Sequence, residues 1–346
     1  MGEAAFWEAT EDGKVACLLC PRRCILGPGQ AGACKVRRNE AGRMVLPFYG
    51  ALSSLAVDPI EKKPLHHFLP GSQVFSVGFL GCNLRCPFCQ NWEISQELDR
   101  PFRPMSPAEL VDAARRSGCP SLAYTYSEPI VHAEYLLEAM DLARGSGLRN
   151  VLVTNGCASE AVAVELLART DAVNVDLKCW SAEDYGRILG GKLEAVASFI
   201  RRAAELPSCL VEVTTLVVPG LSDSAEGLRG IARFLAGLSP DIPLHLSAYH
   251  PAYRFKAPAT SPGLLRSLAA EAKGLLRYVY IGNLTGEGAD SACPSCGALL
   301  VRRRGYATEL LGLEPGPGGG PPRCSSCSAS LPFVLEAAGR SPRGSA

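Results

Sequence analysis

The chain has almost no net charge: 35 basic and 34 acidic side chains in 346 residues leave a formal +1. That balance removes the bulk electrostatic pull that draws basic proteins to nucleic acid or anionic membranes. No run of about 18 apolar residues occurs, so no helical membrane span is expected. The opening stretch MGEAAFWEATEDGK is acidic and has no apolar segment, so no secretory signal is read there. The expected location is cytoplasmic. A composition of 47% hydrophobic and 20% charged residues is an ordinary globular balance, sufficient for one large domain and small modules.

Cysteine is the residue in excess. Fifteen cysteines in a cytoplasmic chain point to metal or catalysis, not to a disulfide framework. They are clumped. Cys17, Cys20, Cys24 and Cys34 form one group, Cys82, Cys86 and Cys89 a second, and Cys293, Cys296, Cys324 and Cys327 a third. Cys119, Cys157, Cys179 and Cys209 are scattered. The central group, in GCNLRCPFCQN, lacks a fourth cysteine and has no histidine nearby, although tetrahedral zinc and cubane iron–sulfur sites both take four ligands.

From about residue 73 to 282 apolar β-branched runs alternate with helical periodicity. Seven strands are expected, in QVFSVGF, SLAYTY, NVLVTN, AVNVDLK, LVEVTTLVV, PLHLSAY and RYVYI. Ser106, Pro107 and Glu109 form a capping box that opens a helix, and IVHAEYLLEAM is expected to bury Ile130, Ala133, Leu137 and Met140 on one stripe. Repeated strand–helix–strand units imply an α/β fold with a parallel sheet, read as a partial (β/α)6-type barrel. Strand alternation puts Asn174, Asp176 and Lys178, then Glu212 and Thr214, then His245, Ser247 and Tyr249 on the inner face. A polar interior suits a polar ligand; a satisfied polar core network is the competing reading. The sequences GCNLRCPFC, YSEP, TNG, DLK and AYHP all fall after strands, at the end where barrel active sites form.

C-x3-C-x2-C with the aromatic Phe88 before its last cysteine resembles the radical S-adenosylmethionine superfamily. The resemblance implies that Cys82, Cys86 and Cys89 hold a [4Fe–4S] cluster whose fourth iron is left open for S-adenosylmethionine. It also implies Ser127 and Glu128 as the counterpart of a Gly-Gly-Glu-like element that meets the cofactor's amino group, with both glycines absent here. Thr154, Asn155 and Gly156, then Asp176 and Lys178, look like the TNG and DLK cofactor contacts of glycyl-radical activating enzymes, and His250 like their histidine after the sixth strand. Val153 stands where those activases often carry an aspartate before TNG. Over nearly the whole chain the motifs are similar to the radical enzymes of the AmmeMemoRadiSam system, in the pyruvate formate-lyase activating enzyme-like group. Implied partners are a low-potential electron donor of flavodoxin or ferredoxin type, and AMME-type and Memo-like proteins or a glycyl-radical enzyme.

The outer groups read as metal sites. C-x2-C-x3-C-x9-C at residues 17–34 suits zinc or an auxiliary iron–sulfur cluster, as a structural staple or as an electron relay. Cys293-x2-Cys296 and Cys324-x2-Cys327 read as a zinc ribbon or rubredoxin-like knuckle, and Arg302, Arg303 and Arg304 as its solvated face. Cys157 and Cys179 are expected as small buried hydrophobes near the site mouth. His66 and His67 are candidates to touch the cluster loop or substrate. The expected division is 1–70, an N-terminal Cys-rich module; 71–285, the barrel; 286–335, the C-terminal metal module; and 336–346, a disordered tail.

Overall fold

A computed structural model describes residues 2–284 and 289–335. The tail at 336–346 and the expected boundary near 285 lie outside the described residues.

The seven expected strands all form. They are β2 (Gln73–Phe79), β4 (Ser121–Thr125), β5 (Arg149–Thr154), β6 (Ala172–Asp176), β7 (Leu210–Val217), β8 (Leu244–Ala248) and β9 (Val279–Gly282). Two more join them, β1 (Ala51–Pro59) and β3 (Arg103–Pro104). The sheet order is β9-β8-β7-β6-β5-β4-β2-β1-β3. From β2 to β9 every pairing is parallel, while β1 is antiparallel to both β2 and β3. Each helical connection therefore moves one strand in the same direction, which with right-handed crossovers keeps the helices on one face.

Those helices include α1 (Pro107–Arg116), α2 (Ala133–Gly145), α3 (Glu160–Leu167), α4 (Leu193–Ala204), α5 (Ala225–Leu238) and α6 (Pro262–Lys273). The capping box before α1 is in place: Ser106 N donates to Glu109 Oε2 at 2.7 Å and Glu109 N to Ser106 Oγ at 3.3 Å. In α2 the fully buried stripe runs through Ala133, Leu136, Ala139 and Met140. Leu137 is only half-buried, because Pro129–His132 forms a separate 3-10 turn that resets the helical phase.

The inner face of the sheet is layered. Its floor is apolar: Val74, Ala123, Val151 and Ala172 pack under Ile60, Leu65, Phe68 and Leu69 from the segment that follows β1. Above it Asn174 and Glu212 are register partners, and one step further Asp176 pairs with Thr214. The middle layer is a hydrogen-bonded polar network. His245 Nε2 lies 2.6 Å from Glu212 Oε2, and the other Glu212 oxygen accepts from His67 N at 2.7 Å. His67 also meets Tyr280 Oη at 2.7 Å and the Pro332 carbonyl at 3.0 Å. The competing reading of the inner face thus holds at mid-height, and the cavity beside the cysteine loop lies above it.

This network corrects two expectations. His66 and His67 are buried beside His245 and Tyr280, and neither lines the cavity. Arg303 is not on a solvated face: it is 2% exposed and donates to the His66 carbonyl at 2.6 Å and to Ser291 Oγ at 2.9 Å. Strand alternation along Leu299–Arg304 sends Arg302 and Arg304 outward to Glu309 and Asp290 and turns Arg303 inward.

Candidate functional site

The Cys82–Cys89 loop leaves the end of β2. Gly81 turns it with φ +87, and a Cβ there would lie 2.7 Å from the Cys34 carbonyl and 2.7 Å from Val36 Cγ1. Glycine is required by both conformation and contact. The loop is held from several directions: Arg85 N donates to the Leu189 carbonyl at 2.9 Å and Arg254 N to the Pro87 carbonyl at 2.9 Å. Phe88 is buried and edge-on to Phe255.

Above the polar network is a cavity of about 260 Å³, lined among others by Cys82, Cys86, Phe88, Cys89, Ser127, Glu128, Asn155, Asp176 and Lys178. These residues come from four segments far apart in sequence and converge here because each follows or ends a parallel strand. Thr154 stands just behind: its Oγ1 donates to Glu128 Oε1 at 2.6 Å, while Asn155 N donates to Glu128 Oε2 at 2.8 Å. Glu128 thereby ties the end of β4 to the end of β5. Burial raises its carboxyl to about 7 against these stabilising hydrogen bonds. Lys178 Nζ and Asp176 Oδ2 pair at 2.7 Å on the cavity wall. Burial opposes the lysine's charge, but the Asp176 carboxylate beside it raises its affinity for the proton above the usual value. Lys178 therefore stays cationic beside the cysteines.

His250 is not brought in. It is exposed, does not line the cavity, and its Nε2 lies 3.4 Å from the Asn283 carbonyl. Cys157 and Cys179 are buried and also off the cavity wall. Sequence reasoning missed Tyr126. It lines the cavity with φ +70, a strained conformation for a bulky residue. Its hydroxyl donates to Asp58, Lys63 Nζ sits 4.3 Å from its ring centroid, and Lys63 Nζ donates to Asp58 Oδ2 at 2.6 Å. The aromatic residue in YSEP was the available signal; the lysine and aspartate come from another segment.

The three sulfur groups differ in spacing. In the C-terminal group Cys293 Sγ and Cys327 Sγ are 3.7 Å apart, as are Cys296 Sγ and Cys324 Sγ. A tetrahedral ion with metal–sulfur bonds of about 2.3 Å separates its sulfurs by about 3.8 Å, so this group suits one ion. Among the described residues it is the only set of three or more metal-binding side chains whose ligand atoms all lie within 4.8 Å of one another. The central cysteines are more spread, as a cluster that binds each thiolate through a different iron requires. Their burial raises Cys86 to about 12 and Cys82 well above its usual value, so without a metal they are neutral thiols. A cationic centre is what would make thiolates of them. Leu84 N donates to Cys82 Sγ at 3.3 Å, and Ser95 Oγ lies 3.3 Å from Cys89 Sγ. The residues present fit a three-thiolate cluster with one side facing the cavity.

Comparison with known proteins agrees. A family model described as the radical SAM superfamily matches residues 77–234. An uncharacterized protein of Methanocaldococcus jannaschii is 40% identical over 343 residues, covering 97% of this chain and 100% of that one. The pyruvate formate-lyase-activating enzyme of Clostridium pasteurianum is 26% identical over 179 residues, 50% of this chain and 74% of that one. In fold the chain is similar to a radical SAM methyltransferase from Sphaerobacter thermophilus, with a TM-score of 0.50 and 17% identity over 67% of this chain and 71% of that one. With its cysteine loop after the first parallel strand and its cavity at the strand ends, the segment 77–234 is matched as a radical SAM superfamily domain.

Proposed function

We propose that the protein cleaves S-adenosylmethionine reductively in the cavity above the Glu212–His245 layer and abstracts a hydrogen atom from a substrate bound there. The observation that carries this is the convergence of Cys82, Cys86 and Cys89 with Glu128, Asn155, Asp176 and Lys178 on one cavity wall. Cys82, Cys86 and Cys89 would hold a [4Fe–4S] cluster, which with S-adenosylmethionine would supply low-potential one-electron reduction and hydrogen-atom abstraction. Glu128, already anchored by Thr154 and Asn155, offers its remaining acceptor capacity to the cofactor's amino group. Asn155 Nδ2, 3.8 Å from Cys82 Sγ, steadies the sulfur. Lys178 takes the carboxylate side, held by Asp176. Phe88 and the latch from Arg254 to Pro87 keep water off the loop. Ser127 donates to the Phe79 carbonyl at 2.9 Å and so shapes the rim. His250, on the exposed rim, is assigned to substrate approach.

The consecutive strand order supports a partial (β/α)6-type barrel at 71–285, with metal modules at 1–70 and 286–335, the latter holding zinc. Similarity to pyruvate formate-lyase-activating enzymes favours a second reading of the substrate, a glycine of a partner enzyme. Val153 is half-buried against the apolar floor in place of the activases' aspartate, which favours a small molecule or peptide handled with AMME-type and Memo-like proteins. Protein prepared without oxygen and given S-adenosylmethionine and dithionite is expected to form 5′-deoxyadenosine, and Cys86→Ala to form none. Absence of product from cluster-loaded wild type would remove the radical reading in favour of a metal-binding adaptor. A doublet EPR signal on a glycyl-radical protein would select the activase reading.

A further inference from the structure

We propose that Cys17, Cys20, Cys24 and Cys34 ligate a second iron–sulfur cluster, and that it delivers the electron used at the cavity. The relay half of this rests on the radical reading above; the cluster half does not.

Three observations carry it. The first is spacing. The C-terminal sulfurs already stand at single-ion distances, whereas the N-terminal sulfurs do not form such a close set among the described residues. A single tetrahedral ion would draw them to about 3.8 Å. The four are nevertheless neighbours: a Cβ on Gly32 would lie 3.8 Å from Cys24 Sγ and 3.9 Å from Cys34 Sγ, and Cys20 feels both Cys17 and Cys24.

The second is Arg37. It is 0% exposed, next to Cys17 and Cys34, and Nη1 pairs with Glu134 at 2.9 Å. Its Nε and Nη2 are buried with no partner among the described residues. Leaving two guanidinium donors unpaired is costly. The sulfurs of an anionic cluster are acceptors of the right charge, and hydrogen bonds to them set its potential.

The third is the path inward. Asn83 follows Cys82 in the chain, and its side chain faces the Cys20 thiol. Its carbonyl accepts from Arg22 Nε at 2.8 Å, and its Oδ1 accepts from Asn155 Nδ2 at 2.9 Å. One residue thus touches both cysteine loops. Along it a one-electron donor of flavodoxin or ferredoxin class is oxidised by one electron and the cavity centre is reduced by one; no bond breaks and no proton moves. Cys24 is the least buried of the four and is flanked by exposed Arg23 and Ile25, so the electron enters there.

The test is metal content and spectroscopy of the full chain purified without oxygen. A Cys82→Ala/Cys86→Ala/Cys89→Ala variant is expected to keep about four iron and four sulfide per chain, with the Mössbauer doublet of a [4Fe–4S] centre, beside about one zinc. About two zinc and no iron in that variant overturns the second cluster. Asn83→Leu, which leaves every ligand in place, is expected to keep wild-type iron while slowing reduction of the cavity centre by a reduced flavodoxin at least about tenfold, followed by freeze-quench EPR. An unchanged rate overturns the relay. If wild type makes no 5′-deoxyadenosine, the radical reading fails while the iron count of the triple variant still decides the cluster.

Discussion

Glu128 shows how one side chain can serve as both strut and site. Its oxygens fasten Thr154 and Asn155, yet its carboxyl is raised to about 7 because the fold buries it. A raised carboxyl is favoured in its neutral form by folding. Its contribution to stability is therefore full below the ordinary value of 4.5 and lost as pH rises through about 7. Binding a cationic amino group needs the charged form, so the two demands oppose each other. S-adenosylmethionine affinity is expected to fall about tenfold per pH unit below about 7. Equilibrium dialysis across that range checks it, and a flat profile would remove Glu128 from the binding role. Glu128→Gln removes the charge and one of the two oxygens that accept from Asn155 N and Ile130 N, and is expected to weaken cofactor binding by about tenfold to a hundredfold and to abolish the pH dependence. The acid of YSEP was legible because it follows a strand. Its double duty was not, since Thr154 and Asn155 reach it only through strand pairing.

At the scale of elements, the loop from Gly81 to Cys89 is determined by what packs behind it. Gly81→Ala would force a left-handed alanine and a Cβ against the Cys34 carbonyl. The expected cost is about 1–3 kcal/mol, read as a melting temperature lower by several degrees, with reduced iron in both N-terminal and central groups. Normal stability and iron content would show that the two loops are independent. The strand Leu299–Arg304 makes a second point. Three successive arginines read as one basic face in composition, but alternation splits them, and the middle one fastens the C-terminal segment to the His66 carbonyl. Period-two geometry was available in the sequence; the buried partner was not.

At the scale of the whole molecule, the C-terminal segment is a wall of the polar layer. Leu69 N donates to the Val334 carbonyl and Val334 N to the His67 carbonyl, both at 2.8 Å, and Phe333 stacks on His67 at 3.9 Å. Cys296→Ser, or metal chelation, is therefore expected to lower the melting temperature of the entire chain, seen as one shifted transition in calorimetry. A separate early transition would show a detachable module. Burial holds His67 and His132 at about 4 and His66 well below 6.5, so all three are neutral in the folded protein. The unfolded state binds protons first on acidification. Stability is thus full above about 6.5 and falls toward 4, by about 1.4 kcal/mol per pH unit for each titrating histidine. Urea titrations at several pH values test the sign; greater stability at pH 5 than at pH 7 would contradict it.

The sequence by itself determined the strands, the alternation of their faces, the capped first helix, the three cysteine groups and the end of the sheet where chemistry collects. Those features are written in local spacing: period two, period 3.6, and ligands a few residues apart. Tertiary structure alone decided that His66, His67 and Glu212 form a buried polar layer, that His250 stays on the rim, that Tyr126, held by Asp58 and Lys63, lines the cavity, and that Arg37 faces the N-terminal cysteines with two of its nitrogens unpaired. Each depends on side chains tens to hundreds of residues apart meeting in a low-dielectric interior, where burial and partner choice set charge and role.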